Sequence, residues 1–539
     1  MAPHELTRRS FMKAAAAGSL AATFAGCSRR RAIEGRIVDD SDARGHLVRD
    51  GAASWPAGAR EEVPIVIVGG GVAGLSAAWK LAKSGVTDFI LLELEDALGG
   101  TAQGGENRTT RYPWGAHYVP LPGREQRTLC ELLEEMGVVR GFDAAGRAIP
   151  TEGHLLRAPD ERLFFAGAWS EGLWLADGAS GDDLRQFDRF ERDTTALAQR
   201  RGDDGRRWFT IPVANGSRDA AALALDRIAM SQWLAERGYT SPRLRWYVEY
   251  ACRDDYGARL ETTSAWAGLH YFCARPRGER DESSRFLTWP EGNAFVVRHL
   301  ARSVEGRVRG GRVVHAIDAA ADGVTIRSLD LASKTTREIR ADHAICALPR
   351  FVARRLLRDL AAEPDVFRYS PWVVANVALA SRPEERGFPL CWDNVLYESE
   401  SLGYVDATHQ LDRAGRDSVW TWYRPFCDGD VRTARARVQS SRWEEWRDKV
   451  VRDLTRAHPD FADHVVSIDV RRFGHAMVRP EPGFLFGATR LAAARPRGRV
   501  HFAGADLGGL PIFEEAQWSG VRAAEELLVA RGVSFESSL

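Results

Sequence analysis

The sequence is short of closely spaced cysteines and of lysine. Its seven cysteines stand singly, so no pair has the spacing of a zinc knuckle or of a redox Cys-x-x-Cys motif. We therefore predict no metal site, and buried thiols rather than a disulfide framework, because a chain of this length needs no such cross-links. Lysine occurs only at positions 13, 80, 83, 334 and 449, which limits the lysines that catalysis could use.

The charges of the chain are balanced. Seventy-four Lys and Arg residues offset 74 Asp and Glu residues, so the charge gives no indication of a nucleic-acid partner or of an acidic polymer substrate. Hydrophobic residues make up 44% and charged residues 27%, which is typical of a soluble globular protein. Because a chain of 539 residues is too long to fold around a single hydrophobic core, two closely packed domains are predicted.

The amino terminus resembles an export signal. Residues 7–13 contain two consecutive arginines in the pattern of a twin-arginine motif, and the apolar stretch 14–26 is too short to span a bilayer. Cys27 then stands where lipoprotein signals are cleaved and lipidated. A plain secretory signal followed by a chance cysteine is the alternative.

We therefore expect residues 1–27 to be a signal and the mature protein to be exported to the periplasmic side. Its only attachment to a membrane would be a lipid anchor at Cys27. Residues 28–62 contain Gly, Ala, Ser, Pro and many charges without apolar periodicity, and they predict a flexible linker.

A dinucleotide-binding pattern begins at the apolar run 65–68, which is typical of a strand buried on both faces of a parallel sheet. Gly69 permits a tight turn, Gly71 lets the backbone approach a pyrophosphate, and Gly74 permits close helix–strand contact. With Ala73, these residues open a predicted helix. Free N–H groups at its amino terminus would bind the pyrophosphate.

A second apolar run, residues 89–92, ends in Glu93. A carboxylate at the end of the second strand can accept hydrogen bonds from ribose hydroxyls and would repel a 2′-phosphate. Strand, glycine loop, helix, second strand and terminal acid together are a specific signal, whereas the glycine loop alone would be a weak one.

Three further segments resemble the flavin amine oxidase superfamily, which includes protoporphyrinogen oxidases and phytoene desaturases. They are Gly99-Gly100, the stretch 114–118 (Trp-Gly-Ala-His-Tyr), and a carboxyl end made of 500–506 and 514–524. The resemblance implies that the stretch 114–118 passes beside the flavin ring. It also implies FAD and an α/β fold, in which a Rossmann-type domain with a parallel sheet carries an interleaved α+β substrate domain. Because the matching loop has no cysteine suited to covalent attachment, we expect FAD to be held noncovalently. A nicotinamide enzyme would not need its last segment to return to the first strand.

The resemblance also implies cofactor contacts beyond the glycine loop and Glu93. The additional residues are Gly100, Thr101, Ala116, His117, Val314, Gly504, Asp506, Glu515 and Ala516. The predicted division of the chain alternates between the two domains. The FAD-binding parts are 63–144, 286–354 and 491–535, and the substrate-domain parts are 145–285 and 355–490. Within the substrate-domain parts, a helical pattern over 221–237 and an amphipathic stretch over 442–457 each predict a helix.

Candidates for catalysis are Asp254, His475 and Asn376. Asp254 lies in a charged packet within an aromatic segment, where it could hold a cationic or hydroxylated substrate or could belong to a structural ion-pair cluster. His475 could act as an acid or base, although a buried structural histidine fits equally well. Asn376 stands where related enzymes carry an active-site lysine, which is a departure from true amine oxidases.

A second departure is Pro511-Ile512-Phe513, where those enzymes carry one ring of an aromatic cage beside the flavin. The predicted activity is hydride removal from a small organic substrate, an amine or a desaturable compound, with oxygen or a quinone as electron acceptor. The alternatives are a non-redox flavoprotein isomerase and a lipid-anchored flavin-binding protein without turnover.

Overall fold

A computed structural model describes residues 32–38, 41–50, 55–144, 146–275, 286–411 and 415–539. The predicted signal and Cys27 lie outside these residues, so export and lipid anchoring stay predictions. Within the described residues, every helix is too short or too polar to cross a bilayer.

The structure contains twenty strands and sixteen α-helices within the described residues. The strands are β1 (Ala57–Val68), β2 (Ile90–Leu92), β3 (Gly104–Glu106), β4 (Arg111–Pro113), β5 (Tyr118–Pro120), β6 (Val139–Phe142), β7 (Ala148–Pro150), β8 (Glu161–Phe165), β9 (Ala168–Glu171), β10 (Phe286–Thr288), β11 (Val308–Arg309), β12 (Arg312–Ala319), β13 (Val324–Asp330), β14 (Thr335–Cys346), β15 (Tyr369–Leu379), β16 (Asp393–Leu396), β17 (Tyr404–Asp406), β18 (Ser418–Pro425), β19 (Val465–Val478) and β20 (Val500–Phe502). The helices are α1 (Ser41–Asp50), α2 (Val72–Lys83), α3 (Arg127–Glu135), α4 (Gly181–Gln199), α5 (Ala220–Leu225), α6 (Met230–Glu236), α7 (Pro242–Tyr256), α8 (Ala265–Cys273), α9 (Ala294–Ala301), α10 (Arg350–Leu356), α11 (Val431–Ser440), α12 (Trp443–Thr455), α13 (Phe461–His464), α14 (Ala488–Ala493), α15 (Ala505–Gly508) and α16 (Phe513–Ala530).

The first sheet is the predicted α/β layer. Its strands follow the order β11-β2-β1-β14-β13-β12, and β20 pairs with the last residues of β14. Strands β11, β2, β1, β14 and β20 are parallel, whereas β12 and β13 form an antiparallel extension. Ile65 and Ile67 face a core shared with α2 and α16, while Val66 and Val68 face the antiparallel extension. The α/β fold class is confirmed.

The first and last segments of the predicted FAD-binding domain meet where α16 packs on α2. At Gly520 a Cβ atom would lie 2.1 Å from the carbonyl oxygen of Ala73, so only glycine permits this approach. Val521 and Leu528 of α16 join Leu75 and Leu81 of α2 in one buried cluster. The carboxyl-terminal helix therefore completes the domain that the first strand begins.

The second sheet has seven strands in the order β19-β15-β18-β17-β16-β8-β9. Its pairs are antiparallel except for β16 and β8, which join the two predicted substrate-domain segments. Helices α11 and α12 pack on one face through Val438, Trp446, Val450 and Leu454. The opposite face, with Trp372 and Val374, turns towards the first domain.

The expectation of a flexible linker over 28–62 is wrong for its described part. Glu34 and Ile37 form bridges to Ser467 and Val470 at the edge of the second sheet. Helix α1 then packs on β12 of the first sheet, and β1 begins at Ala57 rather than at residue 63. The few apolar side chains of this segment find partners on both domains, which a search for periodicity within the segment does not reveal.

The six described cysteines are free and buried, which confirms the prediction for these residues. Burial in apolar surroundings raises the pKa of the Cys346 thiol to about 12, so this thiol stays protonated and inert at neutral pH.

Candidate active site

The glycine loop joins β1 to α2 and leaves the first helical N–H groups open. No side chain caps α2, and its first turn carries no acid. Nothing lies within 4 Å of a Cβ placed on Gly71, whereas one placed on Gly74 would lie 1.9 Å from the carbonyl oxygen of Gly69. The loop is therefore open at Gly71 and tight at Gly74. An open helix terminus with unpaired N–H groups fits a bound pyrophosphate.

Glu93 lies at the carboxyl end of β2, beside this loop. Its Oε2 accepts a hydrogen bond from the backbone N–H of Gly70 at 2.5 Å, and its Oε1 accepts one from that of Glu95 at 2.9 Å. Burial raises the pKa of its carboxyl group. The two backbone bonds fix the carboxylate at the strand end, in the position from which an acid contacts a ribose.

Two of the predicted cofactor segments, around Gly100 and Ala116, come together at the loop. Gly99 forms a bridge with Gly71, and a Cβ on Gly100 would lie 3.4 Å from the Gly71 Cα. The backbone N–H of Ala116 donates to the carbonyl oxygen of Thr101 at 3.3 Å. The structure thus brings these segments into one continuous surface, although the predicted contacts with the cofactor stay predictions.

The predicted acids of the carboxyl end have other partners in the protein. Asp506 accepts hydrogen bonds from the N–H of Arg350 and the hydroxyl of Tyr369 through Oδ2, at 2.7 and 2.6 Å. Glu515 is fully buried, and its Oε1 accepts from the N–H of Val213 at 2.6 Å. Both carboxylates therefore hold protein segments together, which the motif by itself did not indicate.

The remaining predicted cofactor residues are apolar or lack a side chain. Val314, on β12, packs in the buried cluster that also contains Val66 and Val68 of β1. Gly504 directly precedes α15 and donates its N–H to the Ser519 Oγ at 3.1 Å, and Ala516 packs beside the core of α2 and α16. They place backbone near the predicted site without adding charge.

A cavity of about 150 Å³ opens between the two domains. Residues predicted to lie beside the flavin ring form one part of its wall, and substrate-domain residues form the rest. The lining residues are Thr101, Gly115, Ala116, His117, Tyr118, Pro120, Asp254, Asp255, Arg275, Asn293, Trp372, Val374, Tyr423, Phe473, Ala476, Met477, Pro511, Ile512, Phe513 and Glu514.

Asp254 lines this cavity from the last turn of α7. The other two members of its charged packet have protein partners: Arg253 donates to the carbonyl oxygen of Glu400 at 2.6 Å, and Asp255 pairs with Arg275 at 2.7 Å. Burial, with the nearby charge of Asp255, raises the pKa of the Asp254 carboxyl well above its usual range. Arg253 and Asp255 therefore have structural roles, whereas Asp254 faces the cavity.

Glu514, in the first turn of α16, also lines the cavity. It is 5% exposed, and its Oε1 has no hydrogen-bond partner in the described part of the chain. Burial raises the pKa of its carboxyl group to about 7. Glu514 can therefore be either protonated or charged at neutral pH.

Two aromatic rings form a stacked wall in the cavity. The rings of His117 and Tyr423 lie 4.9 Å apart at an interplanar angle of 28°. Burial lowers the pKa of His117 to about 4, so the imidazole is neutral at physiological pH. This wall is flat and uncharged, and its His117 ring belongs to the segment 114–118 that was predicted to pass the flavin.

The structure contradicts the candidacy of His475. Its ring stacks on Phe351 at 3.9 Å, away from the cavity, and burial lowers its pKa to about 3. The reason is an irregularity in β19, where residues 474–476 oppose the single residue Pro371 of β15. This bulge turns His475 away, while Phe473 and Met477 line the cavity.

Asn376 is likewise outside the cavity lining. Its Nδ2 donates to the carbonyl oxygen of Pro113 at 3.0 Å, and its Oδ1 accepts from the Thr421 hydroxyl at 2.7 Å. Both ends of the amide are therefore occupied, and Asn376 fastens the strand before the segment 114–118 to the second sheet. Tertiary contacts therefore fix the position of Asn376, which its residue type does not reveal.

Sequence reasoning missed the cavity residues of the substrate domain, such as Trp372, Tyr423 and Arg275. Trp372 and Val374 alternate along β15, and this period of two could have indicated a shared face. No local signal distinguishes Arg275 from the many other arginines, because its role depends on the pairing with Asp255.

Three comparisons bear on identity. The family model described as "Flavin containing amine oxidoreductase" matches residues 72–528. Mitochondrial dimethylglycine dehydrogenase of Rattus norvegicus is 32% identical over 101 residues, which are 18% of this chain and only 12% of the rat protein.

Two amine oxidase structures have the same fold. Wild-type putrescine oxidase bound to putrescine superposes with a TM-score of 0.64 at 16% identity, over 87% of this chain and 100% of that chain. Cyclohexylamine oxidase from Brevibacterium oxydans IH-35A gives 0.59 at 19% identity, over 86% and 99%. The open helix terminus at Gly71 and the fixed carboxylate of Glu93 fit FAD, which is the cofactor that the family implies. Because the family model matches most of the chain, this protein belongs to the flavin-containing amine oxidoreductases.

Proposed function

We propose that this protein removes a hydride from a C–H bond of a small organic substrate that binds in the cavity between its two domains. The observation that carries this proposal is the composition of the cavity wall. Ala116, in the segment predicted to pass beside the flavin ring, and Thr101, predicted to contact the cofactor, share that wall with Trp372 and Val374 of the substrate domain. A substrate in the cavity would therefore contact both the cofactor and the substrate domain.

The chemistry that bound FAD supplies is the acceptance of a hydride. The protein contributes binding, orientation and the exclusion of water. Trp372, Phe473 and Ile512 give the wall an apolar surface, which orders a carbon skeleton and keeps water from the reacting bond. Glu514 can hold or take up a proton at its free Oε1, since its pKa lies near neutrality.

The match to a family of oxidoreductases favours this redox activity over the isomerase and over a binding protein without turnover. The substrate class is an amine or a desaturable compound, and oxygen or a quinone serves as the electron acceptor. Net oxidation in the absence of an acceptor must leave the flavin reduced, whereas isomerisation must not.

The direct test is a panel of amines and of desaturable cyclic compounds, added anaerobically to the purified holoprotein. We expect at least one compound to bleach the flavin absorbance, and admission of the acceptor to restore it. A compound that is converted while the flavin stays oxidised would favour the isomerase. A panel that leaves both flavin and compounds unchanged would contradict turnover.

Replacing Glu93 with Ala is expected to weaken FAD retention. The variant loses the carboxylate that accepts the N–H of Gly70 and that is positioned for the ribose. A hydrogen bond to a charged group contributes roughly 1.5–3 kcal/mol, which predicts FAD binding weaker by about tenfold or more. The measurement is the FAD dissociation constant, obtained by titrating flavin-stripped protein.

The control for this variant is Glu106→Ala, which removes an exposed carboxylate of β3. Its FAD affinity should equal that of the unmodified protein. Equal affinity of the Glu93 variant and the control would contradict the ribose contact.

A further inference from the structure

A second cavity lies at the first sheet, away from the cavity between the two domains. It has a volume of about 260 Å³ and is lined by residues of β1, β2, β11, β12, β13 and β14. Sites for small molecules start at roughly 300 Å³, so this volume can hold a small ligand. Its lining residues include neither a predicted cofactor contact nor a residue of the cavity between the domains. It is therefore a separate candidate site.

Four arginines line this cavity, which we call the arginine pocket. They are Arg60 of β1, Arg309 of β11, Arg312 of β12 and Arg337 of β14. The acid in the described wall is Glu61, and it is exposed. A concave wall with four guanidinium groups and one carboxylate attracts anions.

Two of the four guanidinium groups share one buried carboxylate. Asp330, at the end of β13, pairs with Arg312 and, at 3.4 Å, with Arg337. Burial opposes the ionisation of Asp330, but the hydrogen bond from Arg312 outweighs it and lowers the pKa of Asp330 well below its usual range. Asp330 is therefore charged at neutral pH, and its single negative charge faces two positive charges.

The other two arginines add positive charge that the protein compensates weakly. Arg60 pairs with Glu338 at 3.4 Å, but its side chain is 84% exposed. Arg309 is exposed and forms no ion pair among the residues that the structure describes. Because exposed ion pairs contribute little to stability, a bound anion can take over these guanidinium groups.

Two buried polar atoms of the same wall are an independent indication of a ligand. Ser328 is fully buried, and within the described residues neither its Oγ nor the Nε of Arg337 has a hydrogen-bond partner. The two residues are register partners on β13 and β14, so their donors lie side by side. A buried donor without an acceptor costs free energy, which a ligand with acceptor oxygens would recover.

We propose that the arginine pocket binds a phosphate group, supplied by an inorganic phosphate or by a small phosphorylated organic molecule. A phosphate group offers several acceptor oxygens and matches the planar fork of a guanidinium with two parallel hydrogen bonds. A neutral ligand would leave the excess positive charge of the wall uncompensated. This site goes beyond the proposed function and does not depend on it.

The arginine pocket adjoins the acid that is positioned for the ribose. The N–H of Glu93 donates to the carbonyl oxygen of Arg309 at 3.0 Å, and the N–H of Arg312 donates to the carbonyl oxygen of Glu93 at 2.8 Å. A ligand between Arg309 and Arg312 would therefore contact the two segments that flank Glu93. The experiment uses the holoprotein for this reason, because bound FAD then occupies its own site.

Orthophosphate, pyrophosphate and ribose 5-phosphate are titrated calorimetrically into the holoprotein at constant ionic strength, with ribose and chloride as controls. We expect at least one phosphate probe to bind one-to-one, about tenfold or more tightly than either control, while the flavin stays bound. Tighter binding of ribose 5-phosphate than of both inorganic ions would identify an organic phosphate as the occupant. The reverse order would identify an inorganic one.

The Arg309→Gln and Arg337→Gln variants each remove one guanidinium from the wall. We expect each to lose about tenfold or more in affinity for the preferred probe, since each loses charged hydrogen bonds. Ser328→Ala should also weaken binding without lowering the Tm of the unliganded protein, because its Oγ has no protein partner to lose. The control is Arg302→Gln, at an exposed position directly after α9, which should bind the probe like the unmodified protein.

Three results would overturn the proposal. The first is the absence of saturable binding of all three phosphate probes to the holoprotein. The second is an affinity that Arg309→Gln and Arg337→Gln leave unchanged, or that Arg302→Gln lowers equally. The third is binding to the flavin-stripped protein alone, which would assign the pocket to the cofactor site.

Discussion

The Gly520→Val variant is expected to lose FAD binding and about 3 kcal/mol or more of folding free energy. Even a single Cβ at this position would lie 2.1 Å from the carbonyl oxygen of Ala73 and 2.9 Å from the Cβ of Ser76. The obstacle is backbone, which cannot rotate away, so α16 must move off α2. Overpacking a well-packed core typically costs 1–3 kcal/mol, and here both core and cofactor loop are displaced.

Packing and local helix propensity predict opposite changes in the free energy of unfolding for Gly520→Val. In an unobstructed helix, a side chain in place of glycine removes backbone freedom from the unfolded chain and tends to stabilise. The Gly181→Val variant at the start of α4 is the matched control, because there a Cβ meets only the flexible end of Arg185 at 3.4 Å. Urea unfolding and bound flavin are the measurements. A Gly520→Val variant with the stability of the control would show that α16 does not approach α2 so closely.

The Arg162→Ala variant is expected to lose about 3–5 kcal/mol of folding free energy, the usual effect of breaking a buried ion pair from one side. Arg162 is 0% exposed on β8. Its guanidinium donates to Glu385 at 2.6 Å, to the carbonyl oxygen of Phe388 at 2.8 Å and to the Tyr404 hydroxyl at 3.0 Å. Truncation to alanine leaves these acceptors without their donor, and it leaves a cavity at the second sheet.

The position of Arg162 in the fold explains why its removal lowers the free energy of unfolding. It joins β8 of the first substrate-domain segment to residues of the second segment, and it lies 3.9 Å over the ring of Trp169. The control is Arg185→Ala, which removes a side chain that is 74% exposed and pairs with Asp182 at 3.2 Å. That variant should change the free energy of unfolding by less than about 1 kcal/mol. Similar midpoints of thermal unfolding for the two variants would contradict the assigned role of Arg162.

The elements that the sequence predicted well carry their signal within a short window. The run 65–68 is apolar at every position, and both of its faces are buried. The amphipathic stretch 442–457 became α12, and Trp446, Val450 and Leu454 are the residues it buries. In both cases the local pattern of apolar residues is enough to predict which side chains the element buries.

The elements that the sequence predicted poorly depend on contacts made elsewhere. The helical pattern over 221–237 is two helices, α5 and α6, with a turn at Asp226. That turn is held by the carbonyl oxygen of Asp226, which accepts from the N–H of Gly483, and by its carboxylate, which accepts from the N–H of Phe486. Helix propensity within the window cannot show that a distant loop supplies these donors.

The sequence by itself determined the α/β class, the glycine loop, the acid at the end of the second strand and hence the family of flavoproteins. These features depend on residues that are close together in the sequence. The backbone conformation that they require restricts the residue types at these positions, and this restriction is visible in the sequence. Only the tertiary structure decided what faces the cavity. It turned His475 away through two extra residues in one strand, occupied both ends of Asn376, and gathered Asp254 and Glu514 from segments 260 positions apart. The physical reason is that a carboxylate's role depends on which charges and donors lie within a few ångströms in space.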